Sequence, residues 1–209
     1  MELKEFMGKI GFASILPHAP ILLPNIGSFE DHQLLKETLD ALKEIKNQFR
    51  KIKVDEIIIS SPHKDWGFNV PLYFLADGSK GKVKRILIGL NHPKEYFEEG
   101  KRYAKQLDKN KKYALIASGD LSHCLKEDGP YGFHIDGPLF DEELIKNLNK
   151  RRIKELLLLE DKYPQAENCG LRPIAFILGI IEGSGLKIKP KILSYEGPFG
   201  VGYLVARLI

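Results

Sequence analysis

Four of the six histidines in this chain directly follow apolar segments that have the pattern of buried strands. They are His18 in ILPHAP, His63 in SSPHKDW, His92 in GLNHP and His123 in ASGDLSH. The carboxyl ends of parallel strands share one edge of a sheet, and ligand crevices of α/β proteins form at that edge. Histidines placed there serve mainly as metal ligands or as general acids and bases. The pattern therefore predicts a pocket shared by several of these rings.

The local sequence separates the histidines by the role that it favours. His18 and His63 each follow a proline, which fixes the local backbone geometry and suits a side chain that has to be aimed. His92 precedes a proline and a helical pattern, so it is interpreted as a helix start. His134, in the glycine-rich segment GPYGFHIDGP, could reach a pocket from a loop. We expect His18, His63 and His123 to converge.

A metal site built on two histidines needs a third ligand, preferably an anionic one. The carboxylates near predicted loops are Asp65, Asp120 and Glu167. Glu167 precedes the most apolar helical segment, where it is either a ligand, an anion at the helix N-terminus or the ion-pair partner of Arg172. With two histidines it would complete the facial triad of non-haem Fe(II) oxygenases, which leaves positions open for substrate and O2. The same set with a bound water describes a zinc hydrolase.

The segments between these residues alternate between strand and helix patterns. Strands are predicted at 9–17, 54–61, 83–90 and 113–120, and amphipathic helices at 29–50 and 94–107. Residues 68–76 are predicted as an edge strand, because Pro71 would interrupt a central ladder. From residue 137 the pattern is largely helical, and residues 187–209 are predicted to contain a closing antiparallel hairpin.

This alternation is typical of an α/β fold: a mostly parallel central sheet with helices on both faces, followed here by a C-terminal antiparallel hairpin. The chain of 209 residues is long enough to bury one sizeable core without disulfides. No shift in composition marks a linker, so a single domain over residues 1–209 is predicted.

Composition argues against several classes of protein. The chain is 43% hydrophobic and 29% charged, as in globular proteins, and no apolar run has the length of a membrane span. A net charge of +4, spread over the chain, predicts no nucleic-acid surface. The N-terminus lacks a signal-peptide pattern, and the two cysteines form no CxxC pair, so a cytoplasmic location is expected. No GxSxG or P-loop motif is present.

Four ordered motifs carry a family resemblance: ILPHAPILLP, SSPHKDW, ASGDLSH and AENCGLRPI. Together they resemble the catalytic subunits of the class III extradiol ring-cleavage dioxygenase superfamily. The sequence is most similar to the small prokaryotic branch of that superfamily, which is related to Memo-like proteins and associated with AMMECR1-like domains. The resemblance spans nearly the whole chain.

The resemblance implies a role for each motif residue. The two metal histidines of the family correspond to His18 and His63, and its acid/base histidine to His123. The third ligand is a glutamate in the dioxygenases and a cysteine in Memo-like members, and ENCGLRP contains both Glu167 and Cys169. Glu167 is the expected ligand because a carboxylate suits Fe(II), with Cys169 as the alternative. Further candidate residues of the pocket are Asp65, Asp120 and His134.

The activity that the resemblance implies is the opening of a catechol-type aromatic diol by O2, with Fe(II) as the cofactor. One alternative is a Memo-like binding or regulatory module that retains the metal pocket without the chemistry. Another is a zinc-dependent hydrolase, so that zinc, or no metal, replaces Fe(II). The implied partners are a small aromatic substrate and O2, with a separately encoded AMMECR1-like protein and a second copy of the chain as further candidates. Neither nucleic acid nor a membrane is expected.

Overall fold

The computed structural model describes residues 9–75 and 82–209. The strands are β1 (Lys9–Leu16), β2 (Glu56–Ser61), β3 (Lys82–Leu87), β4 (Lys112–Ser118), β5 (Lys191–Glu196) and β6 (Tyr203–Arg207). The helices are α1 (Phe29–Leu34), α2 (Lys36–Phe49), α3 (Trp66–Leu75), α4 (Pro93–Ala104), α5 (Asp136–Asn149), α6 (Ile153–Leu156), α7 (Leu159–Lys162) and α8 (Leu171–Gly183). The helix predicted at 29–50 is broken at Leu35, which ends α1 and precedes α2.

The sheet has six strands in the order β3-β2-β4-β1-β6-β5. The pairs β2–β3, β2–β4 and β1–β4 are parallel, whereas β6 runs antiparallel to both β1 and β5. The predicted fold class is therefore confirmed, including the closing hairpin. The hairpin is part of the central sheet, because β6 pairs with β1 as well as with β5.

Two apolar layers cover the sheet, one on each face. Successive side chains of a strand point to opposite faces of the sheet, so each strand contributes residues to both apolar layers. Strand β2 is an example. Ile58 packs in a cluster with residues of α4, α5 and α8, whereas Ile57 and Ile59 pack in a second cluster with residues of α2 and α3. In the part of the chain that is described, no helix is both long and apolar enough to cross a bilayer.

The central strands β1, β2 and β4 end level with one another. Leu16 lies opposite Ser118 in the β1–β4 ladder, and Ser60 lies opposite Ala117 in the β2–β4 ladder. The segments that follow these three strands therefore leave the sheet at the same edge, which is the arrangement that brings distant histidines together.

The predicted edge strand at 68–76 is wrong. Residues Trp66–Leu75 form helix α3, with Pro71 inside it, and residue 76 lies outside the described residues. A proline has no N–H for the carbonyl four residues earlier, which here belongs to Gly67. The hydroxyl of Ser118, from β4, donates a hydrogen bond to the Gly67 carbonyl instead. The helix tolerates its proline because the freed carbonyl has this other partner.

The segment that follows β4 is held by buried hydrogen bonds. The fully buried Asp141 of α5 accepts hydrogen bonds from the Ser122 backbone N–H (2.8 Å) and from the Tyr195 hydroxyl (2.6 Å). The Leu121 N–H donates to the Gly202 carbonyl, and the Gly202 N–H donates to the Ser122 carbonyl, both at 2.8 Å. These bonds attach the segment to α5, to β5 and to the start of β6.

Helices α4 and α8 pack so closely that their contact requires glycine. A methyl group at Gly179 would lie 2.1 Å from the Phe97 carbonyl oxygen, and one at Gly100 would lie 2.1 Å from the Phe176 carbonyl oxygen. Backbone atoms cannot move aside as a flexible side chain can. We expect Gly179→Ala to lower the free energy of unfolding by about 1–3 kcal/mol, measured by urea denaturation. An unchanged denaturation midpoint would contradict this close packing.

Asp141 should make stability depend on pH. Burial raises the pKa of Asp141 from 3.8 to about 7, against the opposing effect of the hydrogen bonds from Tyr195 and Ser122. A carboxyl whose pKa is raised by folding stabilises the protein fully at a pH below its unfolded value, and this contribution is lost as the pH rises through about 7.

We therefore expect the free energy of unfolding to fall by about 2–3 kcal/mol between about pH 5 and about pH 8 through this group alone. Asp141→Asn removes the titrating group and retains an oxygen acceptor for the Ser122 N–H, so this variant should show a smaller fall. Asp128→Asn, at an exposed carboxylate, is the control. Equal slopes for wild type and Asp141→Asn would contradict the raised pKa.

Candidate metal centre

Two groups of possible metal ligands meet at the carboxyl edge of the sheet and share one cysteine. Within each group, one ligand atom per residue lies within 4.8 Å of the others. The first group is His18, His63 and Cys169, and the second is Asp120, His123 and Cys169. The three histidines that the sequence predicted to converge thus lie around a single sulfur atom.

His18 is the most deeply buried of the three histidines, with 2% of its surface exposed. Its backbone N–H donates to Asp120 Oδ1 (2.9 Å), and its ring Nδ1 lies 3.1 Å from Ser118 Oγ. The other ring nitrogen, Nε2, lies 3.3 Å from Cys169 Sγ. Burial and the nearby His63 lower the pKa of His18 to about 3, so the ring is neutral at physiological pH. A neutral imidazole is the form that binds metals.

His63 lies beside His18 and is half-buried. The two ring centroids are 5.1 Å apart, and the His63 ring also contacts the indole of Trp66 at 5.1 Å. Gly67 makes room for this arrangement, since a methyl group there would lie 2.9 Å from His63 Cβ and 2.2 Å from Ser61 Oγ. The carboxylate candidate Asp65 is exposed, and its backbone carbonyl accepts the first hydrogen bonds of α3.

The structure corrects the expected orientation of the ENCGLRP segment. Cys169, and not Glu167, faces the two histidines. Glu167 is exposed and lines a separate polar pocket of about 360 Å³ together with Glu160 and Arg172. Arg172 forms its ion pair with Glu160 (2.8 Å), which is not the pairing considered for Glu167 from the sequence.

The backbone conformation at Glu167 accounts for this difference. Its φ of 51° is in the left-handed region, which residues other than glycine seldom adopt. In an extended segment the side chains of residues 167 and 169 would point the same way. The left-handed turn removes that relation, so the carboxylate points out of the cluster and the thiol points into it.

Cys169 is held in the cluster by the backbone of Asp120. The Asp120 N–H donates to the Cys169 sulfur (3.3 Å), and the Cys169 N–H donates to the Asp120 carbonyl (3.3 Å). Burial and the charge of Asp120 raise the pKa of the Cys169 thiol, so the sulfur keeps its proton at neutral pH when no metal is bound. A metal ion must displace that proton to bind the thiolate.

Asp120 supplies a buried carboxylate next to these ligands. Only 5% of the residue is exposed, and its Oδ2 lies 3.8 Å from His18 Nε2. Burial raises the pKa of Asp120 to about 6, although the hydrogen bond from the His18 backbone lowers it. The sequence had singled out Asp120 only as an alternative ligand, and it lies with His123 and Cys169 in the second ligand group.

His123 has a buried nitrogen without a partner. Its Nε2 makes no hydrogen bond within the described residues, although the ring packs against Tyr131 with centroids 5.0 Å apart. Burial lowers the pKa of His123, and the carboxylate of Asp120 opposes this effect. A neutral ring with a free buried nitrogen is suited to binding a metal or to taking a proton from a ligand.

The two remaining histidines considered from the sequence lie outside the cluster. His92 caps α4 by accepting a hydrogen bond from the Lys94 N–H (3.1 Å), which confirms its interpretation as a helix start. His134 is exposed, and its Nδ1 accepts a hydrogen bond from the N–H of Asp136 (3.1 Å) at the start of α5.

Sequence reasoning missed two residues that support the cluster. Ser118 contacts the His18 ring, and Tyr131 packs on His123. Ser118 lies inside the ASGDLSH motif, so its position beside the site residues was a usable signal. Nothing in the local sequence of Tyr131 distinguished it from an ordinary loop aromatic.

The donor atoms of the cluster fit a divalent transition metal. Two imidazoles and one thiolate, with a carboxylate beside them, provide the nitrogen and sulfur ligands that such ions prefer. The set is softer than the two-histidine, one-carboxylate arrangement expected from the sequence, because sulfur takes the place of oxygen.

Comparison with known proteins identifies the family of this chain. A family model described as the catalytic LigB subunit of aromatic ring-opening dioxygenase matches residues 64–206, which is more than half of the chain. The chain belongs to the LigB family. Enzymes of the LigB family use non-haem iron, which the donor set of this cluster could hold.

One relative and one solved structure extend the comparison. Protein CA_C1420 of Clostridium acetobutylicum is 42% identical over 147 residues, which are 69% of this chain and 31% of that protein. The chain thus spans about a third of this relative's length. The crystal structure of uncharacterized protein JW3007 from Escherichia coli K12 has a TM-score of 0.58 at 14% identity, covering 95% of this chain and 99% of the other. This likeness shows a shared fold.

The position of Cys169 leads to a test of the ligand set. We expect Cys169→Ser to weaken binding of Fe(II) and Zn²⁺ by at least about tenfold, because the cluster loses its thiolate. Glu167→Gln should leave both affinities unchanged, since the carboxylate faces another pocket. Cys124→Ser, at the other free cysteine, is the matched control. Calorimetric titration under anaerobic conditions measures the affinities, and the reverse ranking would restore Glu167 as the ligand.

Proposed function

We propose that this LigB-family chain is a metal-dependent oxygenase that opens a catechol-type aromatic diol with O2. In this proposal Fe(II) is held by His18, His63 and Cys169, and His123 acts as the acid/base residue. The observation that carries the proposal is the unpartnered, buried Nε2 of His123 beside three residues that could hold a metal ion, His18, His63 and Cys169. A metal held by His18, His63 and Cys169 leaves that nitrogen free to take a proton from a bound ligand.

The protein groups prepare the site for metal binding. The two imidazoles lie close together, and that of His18 stays neutral because burial keeps its pKa low. Cys169 contributes a negative charge when its proton leaves. Bound Fe(II) would supply the Lewis acidity and the redox capacity that activation of O2 requires.

His123 is suited to move the substrate proton. With its own proton on Nδ1, the neutral ring accepts a proton from a diol hydroxyl at Nε2, the atom that lacks a partner. The nearby carboxylate of Asp120 favours the imidazolium that results, because opposite charges attract in this buried setting. The same ring can return the proton to the product.

Two exposed aromatic residues support an aromatic substrate. Trp66 and Tyr131 are 45% and 59% exposed, and each packs against a histidine of the cluster. Aromatic faces left open to solvent beside a ligand pocket are suited to pack against another flat ring. In this proposal they contact the diol while its two oxygens face the metal ligands.

The thiol of Cys169 favours a second candidate function. Thiolate–imidazole sets bind Zn²⁺ and other soft ions readily, and a site without iron would not activate O2. The chain would then be a Memo-like binding or regulatory module, with a separately encoded AMMECR1-like protein as its partner, or a zinc-dependent hydrolase.

Metal analysis of anaerobically purified protein, followed by oxygen-uptake assays with a panel of catechols, separates these candidates. Iron together with uptake supports the oxygenase. Zinc or no metal, without uptake after reconstitution with Fe(II), contradicts the oxygenase and favours the second candidate.

The proposed roles predict different phenotypes for two histidine variants. His123→Gln should keep the metal and lower the oxygen-uptake rate by about 10²–10⁴-fold, because only the proton transfer is lost. His63→Gln should lose both metal and turnover, because a ligand is removed. Metal content and oxygen uptake are measured on the same preparations. A His123→Gln protein that purifies without metal would make His123 a ligand, and full activity would exclude the acid/base role.

A further inference from the structure

A chain of hydrogen bonds connects the interior of helix α3 to the ring of His18. Pro71 leaves the Gly67 carbonyl without its helical partner, and the Ser118 hydroxyl donates to that carbonyl. The same hydroxyl oxygen lies 3.1 Å from Nδ1 of His18. Ser118 is fully buried, so no bulk water competes for these contacts.

Counting protons along this chain determines the tautomer of His18. A serine hydroxyl has one hydrogen, and that of Ser118 is donated to Gly67 O. Towards His18 the oxygen can therefore only accept, so Nδ1 must carry the ring proton. In a neutral imidazole the other nitrogen, Nε2, then has a free lone pair.

The free lone pair lies where the metal ligands meet. His18 Nε2 is 3.3 Å from Cys169 Sγ, and the Asp120 carbonyl oxygen is 3.5 Å from the same sulfur. The single hydrogen of the thiol can be donated to either of these two acceptors when no metal is bound, and His18 Nε2 is the nearer one. The opposite tautomer would place a hydrogen on Nε2, directed at the sulfur, and this hydrogen would have to move to Nδ1 before the nitrogen could bind a metal. The orientation of the Ser118 proton thus determines whether the metal-free ring already has its lone pair on Nε2 or must first move a proton to bind a metal.

We propose that Pro71 is a positioning residue that sets the tautomer of His18. By withholding an N–H from the Gly67 carbonyl, it draws the Ser118 proton away from His18 and keeps Nε2 free. This inference rests on the proposed function in one respect only, namely that His18 binds the metal through Nε2.

An alanine at position 71 should reverse the arrangement. Its N–H would donate to the Gly67 carbonyl, as in an ordinary helix turn. The Gly67 carbonyl would then no longer depend on Ser118, so the Ser118 proton can turn towards His18 Nδ1 and the ring proton can shift to Nε2. Because a carbonyl oxygen can accept two hydrogen bonds, we expect a partial shift of the tautomer population. Partners that fix the ring of a metal-binding histidine usually change metal affinity by about 10–100-fold when they are removed.

The first test is made on the metal-free protein. Nitrogen-15 NMR of the histidine rings distinguishes the two neutral tautomers, and His18→Gln assigns the signal. Wild type should show His18 protonated at Nδ1, and Pro71→Ala should increase the form protonated at Nε2. Wild-type protein protonated at Nε2, or a Pro71→Ala spectrum identical to that of wild type, would overturn the proposal.

The second test measures Zn²⁺ affinity, which needs neither iron nor turnover. Pro71→Ala and Pro71→Gly should each bind Zn²⁺ about 10–100-fold more weakly than wild type, because both restore the N–H. Alanine favours a helix and glycine disfavours it, so the two variants should differ in stability while sharing the loss of affinity. If affinity follows stability instead, Pro71 acts only on the fold and the proposal is wrong.

A double-mutant cycle identifies the route of the effect. Ser118→Ala removes the hydroxyl, so Pro71→Ala should cause no further loss of Zn²⁺ affinity in that background. Additive losses would show that Pro71 does not act through Ser118. Failure of the oxygenase proposal is recognised separately, by the absence of oxygen uptake, and it leaves the tautomer and Zn²⁺ measurements to decide this inference.

Discussion

The parallel pairing of β4 with both β1 and β2 is the constraint on which the rest of the site depends. Because these strands end level, His18, His63 and the segment after β4 leave the sheet within a few ångströms of one another. The side-chain contacts of the site form only because the strand ends bring these segments together. Ser118, the last residue of β4, is the clearest example, since it reaches both α3 and the first histidine.

The sequence was sufficient for the parts of the structure that follow from periodicity. Apolar strands alternating with helices predict the layered sheet, and histidines at the ends of those strands predict the pocket. The edge strand predicted around Pro71 and the metal ligand predicted at Glu167 were wrong because both depend on features that the local sequence does not show. Pro71 argues against a helix only if the Gly67 carbonyl has no other partner, and its partner lies 51 residues away in the chain. Glu167 is a reasonable ligand only if its backbone is extended, and its φ of 51° lies in the left-handed region instead.

The protonation states of the residues in the ligand cluster favour the binding of a cation. Burial disfavours charge on each group, so the imidazole of His18 is neutral and the thiol of Cys169 is protonated. Asp120 accepts a hydrogen bond from the His18 backbone, and that bond favours its charged form. A divalent ion would balance the charges of a thiolate and a carboxylate that the pocket cannot easily hold alone. The same burial that suppresses these charges therefore makes ion binding and proton release a single event.

The position of β6 has a consequence for how the molecule is made. β1 lies between β4 and β6, so its hydrogen bonds are complete only when residues 203–207 have been added. During synthesis the first strand, which leads directly to His18, waits for nearly the whole described chain to emerge from the ribosome. Contacts between such distant segments slow folding, and an apolar strand with one open edge is prone to pair with other molecules. The sheet that positions the histidines thus leaves the β6-facing edge of β1 unpaired until residues 203–207 have been synthesised.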